Sequence, residues 1–204
     1  MKKEENQTTV AAFDFDGTLT HHDTLVPFIS FLNGPAETMG SIVLALPNLF
    51  ACLFNNRYRQ IAKEAILKTN ISGMTDEALR KQGESFALGP LQNKIRPEGL
   101  KKLQWHKQQG HRCILISANL DVYLEPWAMN AGFHDLICSK LEVDKNGKFT
   151  GKLIGLNCWG PEKSRRLLQL LGPKENYKLY VYGDSRGDRD LLELADYPFY
   201  RRFT

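Results

Sequence analysis

The chain opens its patterned part with a short apolar run, Val10-Ala11-Ala12-Phe13, that passes straight into Asp14-Phe15-Asp16-Gly17-Thr18. An apolar run halted by a glycine predicts a buried strand. From Leu25 to Phe86 the spacing turns helical. Tyr58 to Lys68 sets Ile61, Ala65 and Lys68 on one face, with Ile66 and Leu67 beside it. Thr75, followed by Asp76 and Glu77, predicts an N-cap with acidic residues in the first turn. Arg96-Pro97-Glu98-Gly99 opens another helix over Leu100 to Gln109, closed by Gly110.

Beyond Gly110 the two periods alternate. Arg112 to Ser117 predicts a strand, Val122 to Asn130 a helix ending near Gly132, and Asp135 to Cys138 a strand. Lys140 to Lys152 predicts a hairpin turning at Asp144-Lys145-Asn146-Gly147. Pro161 to Leu171 is a helix ended by Gly172-Pro173, Lys178 to Tyr182 a strand, Asp188 to Ala195 a helix and Pro198 to Tyr200 a short last strand. Strands alternating with helices predict an α/β fold, a doubly wound parallel sheet with right-handed crossovers.

Composition changes this picture little. The 204 residues are 42% hydrophobic and 25% charged, which excludes disordered and low-complexity classes. A net charge of +4 is too small to predict a nucleic-acid partner, and none is expected. The distribution of charge says more. Between Thr24 and Asn56 the one charged residue is Glu37, and the centre of that window runs Met39 to Phe54 with Pro47 and Asn48 inside it. Three readings stay open: a buried helical pair, a membrane-surface element, or a span, the last opposed by Pro47 and Asn48. Met1 to Thr9 is polar, with no secretory signal expected, and the dispersed Cys52, Cys113, Cys138 and Cys158 predict reduced core thiols. The expected compartment is therefore the cytoplasm, with peripheral contact at the inner membrane face as the further expectation.

In a parallel α/β sheet the site forms beyond the carboxyl ends of the strands. Asp14 and Asp16 follow the first strand, Ser117 the second and Asp184 the fourth. Asp14 and Asp16, two apart in extended chain, project to one side. With Asp184 and Asp188 they make an oxygen-only donor set suited to a hard cation, and Mg²⁺ is the natural occupant. Taken singly, Ser117 has a plain alternative as a strand-end cap, Lys163 as a solvated surface lysine, and Asp190 as first-turn helix charge.

Together, Asp14-Phe15-Asp16-Gly17-Thr18-Leu19, Ser117-Ala118-Asn119, Lys163 at a helix start and Gly183-Asp184-Ser185-Arg186-Gly187-Asp188 resemble the four ordered motifs of the haloacid dehalogenase superfamily, subfamily IB, phosphoserine-phosphatase-like branch. The resemblance spans Phe13 to Leu192. It implies a Rossmann-like core over 1–20 and 96–204, with a helical cap of the C1 type over 21–95. It also implies a Mg²⁺-dependent phosphatase working through an aspartyl-phosphate. Asp14 would be the nucleophile and Asp16 the general acid and base. Ser117, Lys163 and the backbone N–H groups of Gly17 and Asn119 would hold the phosphoryl oxygens. Asp14, Asp184 and the main-chain carbonyl of Asp16 would ligate the metal, with Asp188 orienting its waters. Asp16 sets the chain apart from dehalogenases, which lack that second acid. Ala118 departs from the branch, which usually has Gly or Ser near that position.

For substrate, the expectation is a small soluble phosphomonoester. Asp23 matches the position where phosphoserine phosphatases keep an acid for the substrate amine. Their companion arginine is missing from Ile66 to Lys68. The uncharged run resembles bacterial phosphatidylglycerophosphatases of the same branch, so a lipid phosphate is the alternative, with Leu44, Leu46, Leu49, Phe50, Leu53 and Phe54 as the apolar surface and Tyr200-Arg201-Arg202-Phe203 as a further membrane contact. A phosphotransferase and a non-catalytic phosphate-binding protein stay open as well. The oligomeric state expected is monomer or homodimer.

Overall fold

The structure is a computed structural model and describes residues 7–51 and 57–203. Five parallel strands form one sheet in the order β3-β2-β1-β6-β7: β1 is Thr8–Phe13, β2 Arg112–Leu120, β3 Asp135–Ser139, β6 Tyr177–Gly183 and β7 Tyr197–Tyr200. The first strand in sequence is the central one, so the chain winds outward from it on both sides, as the alternating pattern predicts. Strand β1 reads both faces of the sheet. Ala11 and Phe13 enter one core with Leu115, Tyr123 and Tyr182, whereas Val10 and Ala12 enter the other with Ile114, Val181, Leu167 and Leu191.

Helices α5 (Pro97–Gln108), α6 (Asp121–Ala131), α7 (Pro161–Leu171) and α8 (Arg189–Glu193) connect these strands. The predicted hairpin is present as β4 (Leu141–Val143) and β5 (Phe149–Leu153), a separate antiparallel pair. The Asp144 carboxylate accepts the N–H groups of Asn146 and Lys148, which sets the turn.

Strand β2 runs three residues past the predicted end, and the reason is an irregularity in its pairing with β3. Ile116 pairs with Ile137 and Leu120 with Ser139, so four steps on β2 oppose two on β3. Ser117, Ala118 and Asn119 stand opposite Cys138 alone, and this stretch bulges out at the carboxyl edge.

Between β1 and β2 lie α1 (Leu25–Asn33), α2 (Pro35–Ala51), α3 (Arg57–Ile71) and α4 (Asp76–Leu88). The Thr75 side chain accepts the N–H of Ala78, confirming that cap. Helix α3 buries the residues beside the Ile61, Ala65 and Lys68 face rather than that face itself. Ile61 is 47% exposed and Lys68 is exposed, while Ala62, Lys63, Ile66, Leu67 and Ile71 are buried. The inner side is set by α2 and β5 packing against this helix, which the internal period of α3 does not encode.

Helix α2 realises only half of a buried pair. Small residues point inward, Thr38, Ser41 and Ala45, while Met39, Val43, Leu44, Leu46 and Phe50 are more than half exposed. The helix continues through Pro47 to Ala51. Cys52, Leu53 and Phe54 lie outside the described residues, and of Leu49 only the backbone is described. Among the described residues no helix is long and apolar enough to cross a membrane, and Cys113, Cys138 and Cys158 are buried free thiols.

Candidate active site

Strand β1 delivers Asp14 in extended conformation, and the chain then makes one wide turn over Phe15–Leu19, closed by the Thr20 N–H on the Phe15 carbonyl at 3.0 Å. Gly17 carries that turn at φ +79°, and a Cβ there would come within 2.3 Å of an Asp184 carboxylate oxygen. Only glycine meets both demands. Gly183, on β6, faces a similar limit: a Cβ would approach the Asp188 Cβ to 2.6 Å.

These approaches gather the charged groups. Lys163, in the first turn of α7, is 3% exposed and donates to Asp14 Oδ1 at 2.5 Å and to Asp188 Oδ1 at 2.6 Å. The other Asp188 oxygen accepts the hydroxyl of Ser185 and the N–H groups of Ser185 and Asp184. Thr18 bridges the two acidic strand ends, donating to Asp14 Oδ2 at 3.0 Å with Asp184 Oδ1 at 3.4 Å. Carboxylate oxygens of Asp14, Asp184 and Asp188 all lie within 4.8 Å of one another. Burial pushes the Asp14 carboxyl up to about 8 against the pull of Lys163. The Lys163 ammonium is held above its ordinary value: burial pulls it down, but Asp14 and Asp188 outweigh that. A buried cation balanced by carboxylates, beside an all-oxygen cluster, is a site built to take additional positive and negative charge together.

Asp16 lines the same cleft but leaves the cluster. Its Oδ1 accepts the N–H and hydroxyl of Thr24 at 2.8 and 2.7 Å, and its Oδ2 accepts Asn119 Nδ2 at 2.5 Å. Burial, followed by the Asp23 charge, raises this carboxyl to about 7. Asn119 thus reaches Asp16 through its side chain. Its backbone N–H points to Ser117 Oγ at 3.0 Å, and the Gly17 N–H to Thr20 Oγ1 at 3.3 Å. Both expected phosphate donors are engaged by hydroxyls of their own loops. Asp23 is exposed at the rim, where Oδ1 accepts the Leu25 N–H at 2.9 Å.

The cleft holding these groups encloses about 860 Å³ and brings in residues that motif reading missed: Lys63 and Arg59 from α3, and Asn157 and Trp159 from the loop before α7. Lys63 is buried and donates to the Ala118 carbonyl, with Asn157 Oδ1 at 3.4 Å. Burial lowers its ammonium to about 8, against the pull of Asp23 and Asp16. Arg59 stacks over Trp159 at 4.4 Å from the ring centroid. The signal in the sequence is a lysine within the stripe Ala62, Ile66, Leu67 and Ile71; it is legible only once that stripe is known to face inward. Leu25, Val26, Ile42 and Ile66 complete an apolar wall.

The profile of the haloacid dehalogenase-like hydrolase family matches residues 11–193. Protein CicA of Caulobacter vibrioides is 31% identical over 198 residues, 97% of this chain and 88% of that protein. A histidinol-phosphatase of Neisseria meningitidis serogroup C is 26% identical over 93% of this chain and 88% of its own. Among solved structures, a protein of unknown function from Bordetella pertussis Tohama I superposes with a TM-score of 0.82 at 22% identity, covering 95% of this chain and 90% of that one. A phosphoserine phosphohydrolase-like protein from Francisella tularensis superposes at 0.63 with 18% identity, over 91% and 82%. Sheet order, motif positions and these matches agree: the chain belongs to the haloacid dehalogenase-like hydrolase family and carries its phosphatase fold.

Proposed function

We propose that the chain hydrolyses a small soluble phosphomonoester, with Asp14 as nucleophile and residues 21–95 acting as a cap. The observation that supports it most is the buried Asp14–Lys163–Asp188 array beside Asp184 at the carboxyl edge of β1 and β6. A bare aspartate faces an anionic phosphate with repulsion, and a fixed ammonium 2.5 Å away offsets it.

The Asp14 carboxylate attacks phosphorus as the bond to the ester oxygen breaks, giving an aspartyl-phosphate and the alcohol. Asp16 donates the proton that the leaving oxygen needs, then takes one from the water that hydrolyses the acyl phosphate. A carboxyl raised to about 7 serves both directions near neutral pH. Thr24 and Asn119, themselves hydrogen-bonded at 3.2 Å, together hold Asp16 in place. Lys163 stays charged throughout and balances the phosphoryl oxygens, while Ser117 keeps its hydroxyl proton for one of them.

The donor set fits Mg²⁺, because carboxylate oxygens of Asp14, Asp184 and Asp188 converge without nitrogen or sulfur. Asp14, Asp184 and the main-chain carbonyl of Asp16 would hold the ion, Asp188 would orient its waters, and it would polarise the phosphoryl group. Substrate choice falls to the cleft side lined by Lys63, Arg59, Trp159 and Asp23. Relatives named as histidinol-phosphatase and phosphoserine phosphohydrolase-like support a small substrate.

A specific observation favours a second reading, a lipid phosphate. The large apolar residues of α2 face outward while the cleft wall beside it is apolar too, so an acyl chain would find surface both inside and outside the cleft. Contact with a membrane would then be peripheral.

The nucleophile is tested by Asp14→Asn. The variant should lose turnover of a generic aryl phosphate by about 10⁴-fold or more while its thermal unfolding stays cooperative. Hydrolysis at the parent rate would overturn the assignment.

A further inference from the structure

Behind the catalytic turn lies a second, smaller cavity of about 180 Å³, lined by Gly17, Thr18, Gly183, Asp184 and Phe203 and by three arginines, Arg96, Arg201 and Arg202. None of these arginines lines the catalytic cleft. Gly17 and Asp184 border both spaces, and their close approach forms the wall between them.

The arginines are held in a particular way. Arg96 uses Nε on the Thr20 carbonyl at 3.0 Å, and Arg201 uses Nε on the Asp184 carbonyl at 2.9 Å. Among the described residues no hydrogen-bond acceptor meets the Nη groups of either, and Arg202 has no hydrogen-bond or ion-pair partner at all. Arg201 is the one non-glycine residue at positive φ among those described, at +56°, and its N–H also bonds the Gly183 carbonyl at 2.8 Å. A left-handed arginine is a strained choice that persists only where surroundings over-determine it. Here two bonds to consecutive carbonyls do so, and they fix the direction of the guanidinium. On the far side Phe203 stacks on Tyr182 at 5.7 Å between centroids, which pins the segment carrying Arg202.

We infer that this cavity binds a phosphate group, as inorganic phosphate or as the phosphate end of a monoester, at a site separate from the catalytic one. Three arginines and one acid, Asp184, line the cavity, so its lining carries an excess of positive charge. Planar forks with open Nη donors suit a tetrahedral oxyanion. The volume, below the ~300 Å³ at which pockets hold drug-sized ligands, admits a single phosphate group and no large organic body. The two anchoring carbonyls, of Thr20 and Asp184, flank the catalytic turns, so an anion here bears on the backbone that carries Asp184.

Equilibrium binding of inorganic phosphate to the full chain tests this, comparing the parent with Arg202→Gln and Arg96→Gln. The parent should bind one phosphate more per chain than either variant, or bind it about tenfold more tightly. Aryl phosphate hydrolysis by Arg202→Gln should match the parent, since Arg202 touches no part of the proposed reaction. Asp14→Asn should keep the second phosphate, so failure of the proposed nucleophile and failure of this site read differently. A parallel arm with phosphatidylcholine vesicles containing phosphatidic acid identifies the source: Arg202-dependent sedimentation assigns the site to a lipid headgroup, and binding of free phosphate alone assigns it to a soluble anion. Equal phosphate binding by parent and both variants, with no Arg202-dependent vesicle binding, overturns the inference.

Discussion

The sheet with its strand-end loops and the helical insertion between β1 and β2 follow different logics. In the sheet each functional group is fixed by the main chain. Asp14 ends the central strand, Asp184 follows β6 beside it, and Lys163 starts the helix that packs below. In the insertion, the groups that enter the cleft, Lys63 and Arg59, are fixed by how α3 is rolled against its neighbours. Backbone register leaves little freedom, whereas a helix can be rotated about its axis by a change in packing. The first region should therefore respond to substitution as a machine part and the second as a selector.

The largest effect expected is at Lys163. Lys163→Met removes the ammonium between Asp14 and Asp188 and leaves two buried carboxylates facing each other. Aryl phosphate turnover should fall by about 10³-fold, and chemical denaturation should show a loss of stability that grows as pH rises and the buried carboxyls are forced to ionise without their partner. A variant with unchanged rate and unchanged stability would show that Lys163 is a bystander, and the contrast between the regions would collapse.

That array was legible from sequence because it follows from local rules. A strand halted by glycine puts Asp14 at the carboxyl edge, and proline at the first position of α7 fixes where Lys163 begins the helix. The bulge at Ser117–Asn119 was not legible, since it depends on the pairing of β2 with β3. Nor was the second partner of Asp16: Asn119 stands 103 residues away, and no spacing rule joins them. In the insertion the inward face of α3 was not legible either, because Ile61 and Ala65 fit a helical period as well as Ala62 and Ile66 do. Period alone cannot distinguish a face that meets the core from its neighbour.

Next in size comes a buried histidine of the sheet region. His106 on α5 is fully buried, with Nε2 2.9 Å from the Tyr182 hydroxyl and Nδ1 2.7 Å from His111 Nδ1. Burial, then the neighbouring His111 and Lys102, lowers it from 6.5 to about 3. Between those values the unfolded chain binds the proton and the folded chain does not, so stability contributed by neutral His106 is complete above about 6.5 and is lost as pH falls toward 3. The loss approaches ~1.4 kcal/mol per pH unit within that window. Unfolding curves across it should show a shallower acid slope for His106→Gln than for the parent; identical slopes would place the titration elsewhere.

Smaller again, and in the insertion, Lys63→Met removes a buried cation that meets no carboxylate among the described residues and closes on the Ala118 carbonyl. If the insertion selects rather than reacts, kcat on an aryl phosphate should hold within about twofold. For the favoured natural-type substrate kcat/KM should fall about tenfold, mostly through KM. An equal fall in kcat on every substrate would move Lys63 into the machinery and break the division between the two regions.

The smallest effect on the protein itself is expected at Leu44, which is 73% exposed on α2. Leu44→Glu removes no buried contact, so stability should change by less than about 0.5 kcal/mol and hydrolysis of a soluble monoester should be unaffected. Its value lies in what it separates. Apolar side chains at Met39, Val43 and Leu44 face outward on a helix whose inward positions are Thr38, Ser41 and Ala45, the reverse of what water alone would favour. If that face meets acyl chains, a carboxylate in its middle should lower hydrolysis of phosphatidylglycerophosphate presented in vesicles by about tenfold and leave a soluble phosphomonoester untouched. If instead the parent prefers the soluble ester with or without vesicles, and Leu44→Glu changes neither rate, the lipid reading falls. The insertion would then select its substrate entirely from inside the cleft, through Lys63, Arg59 and the apolar wall they share.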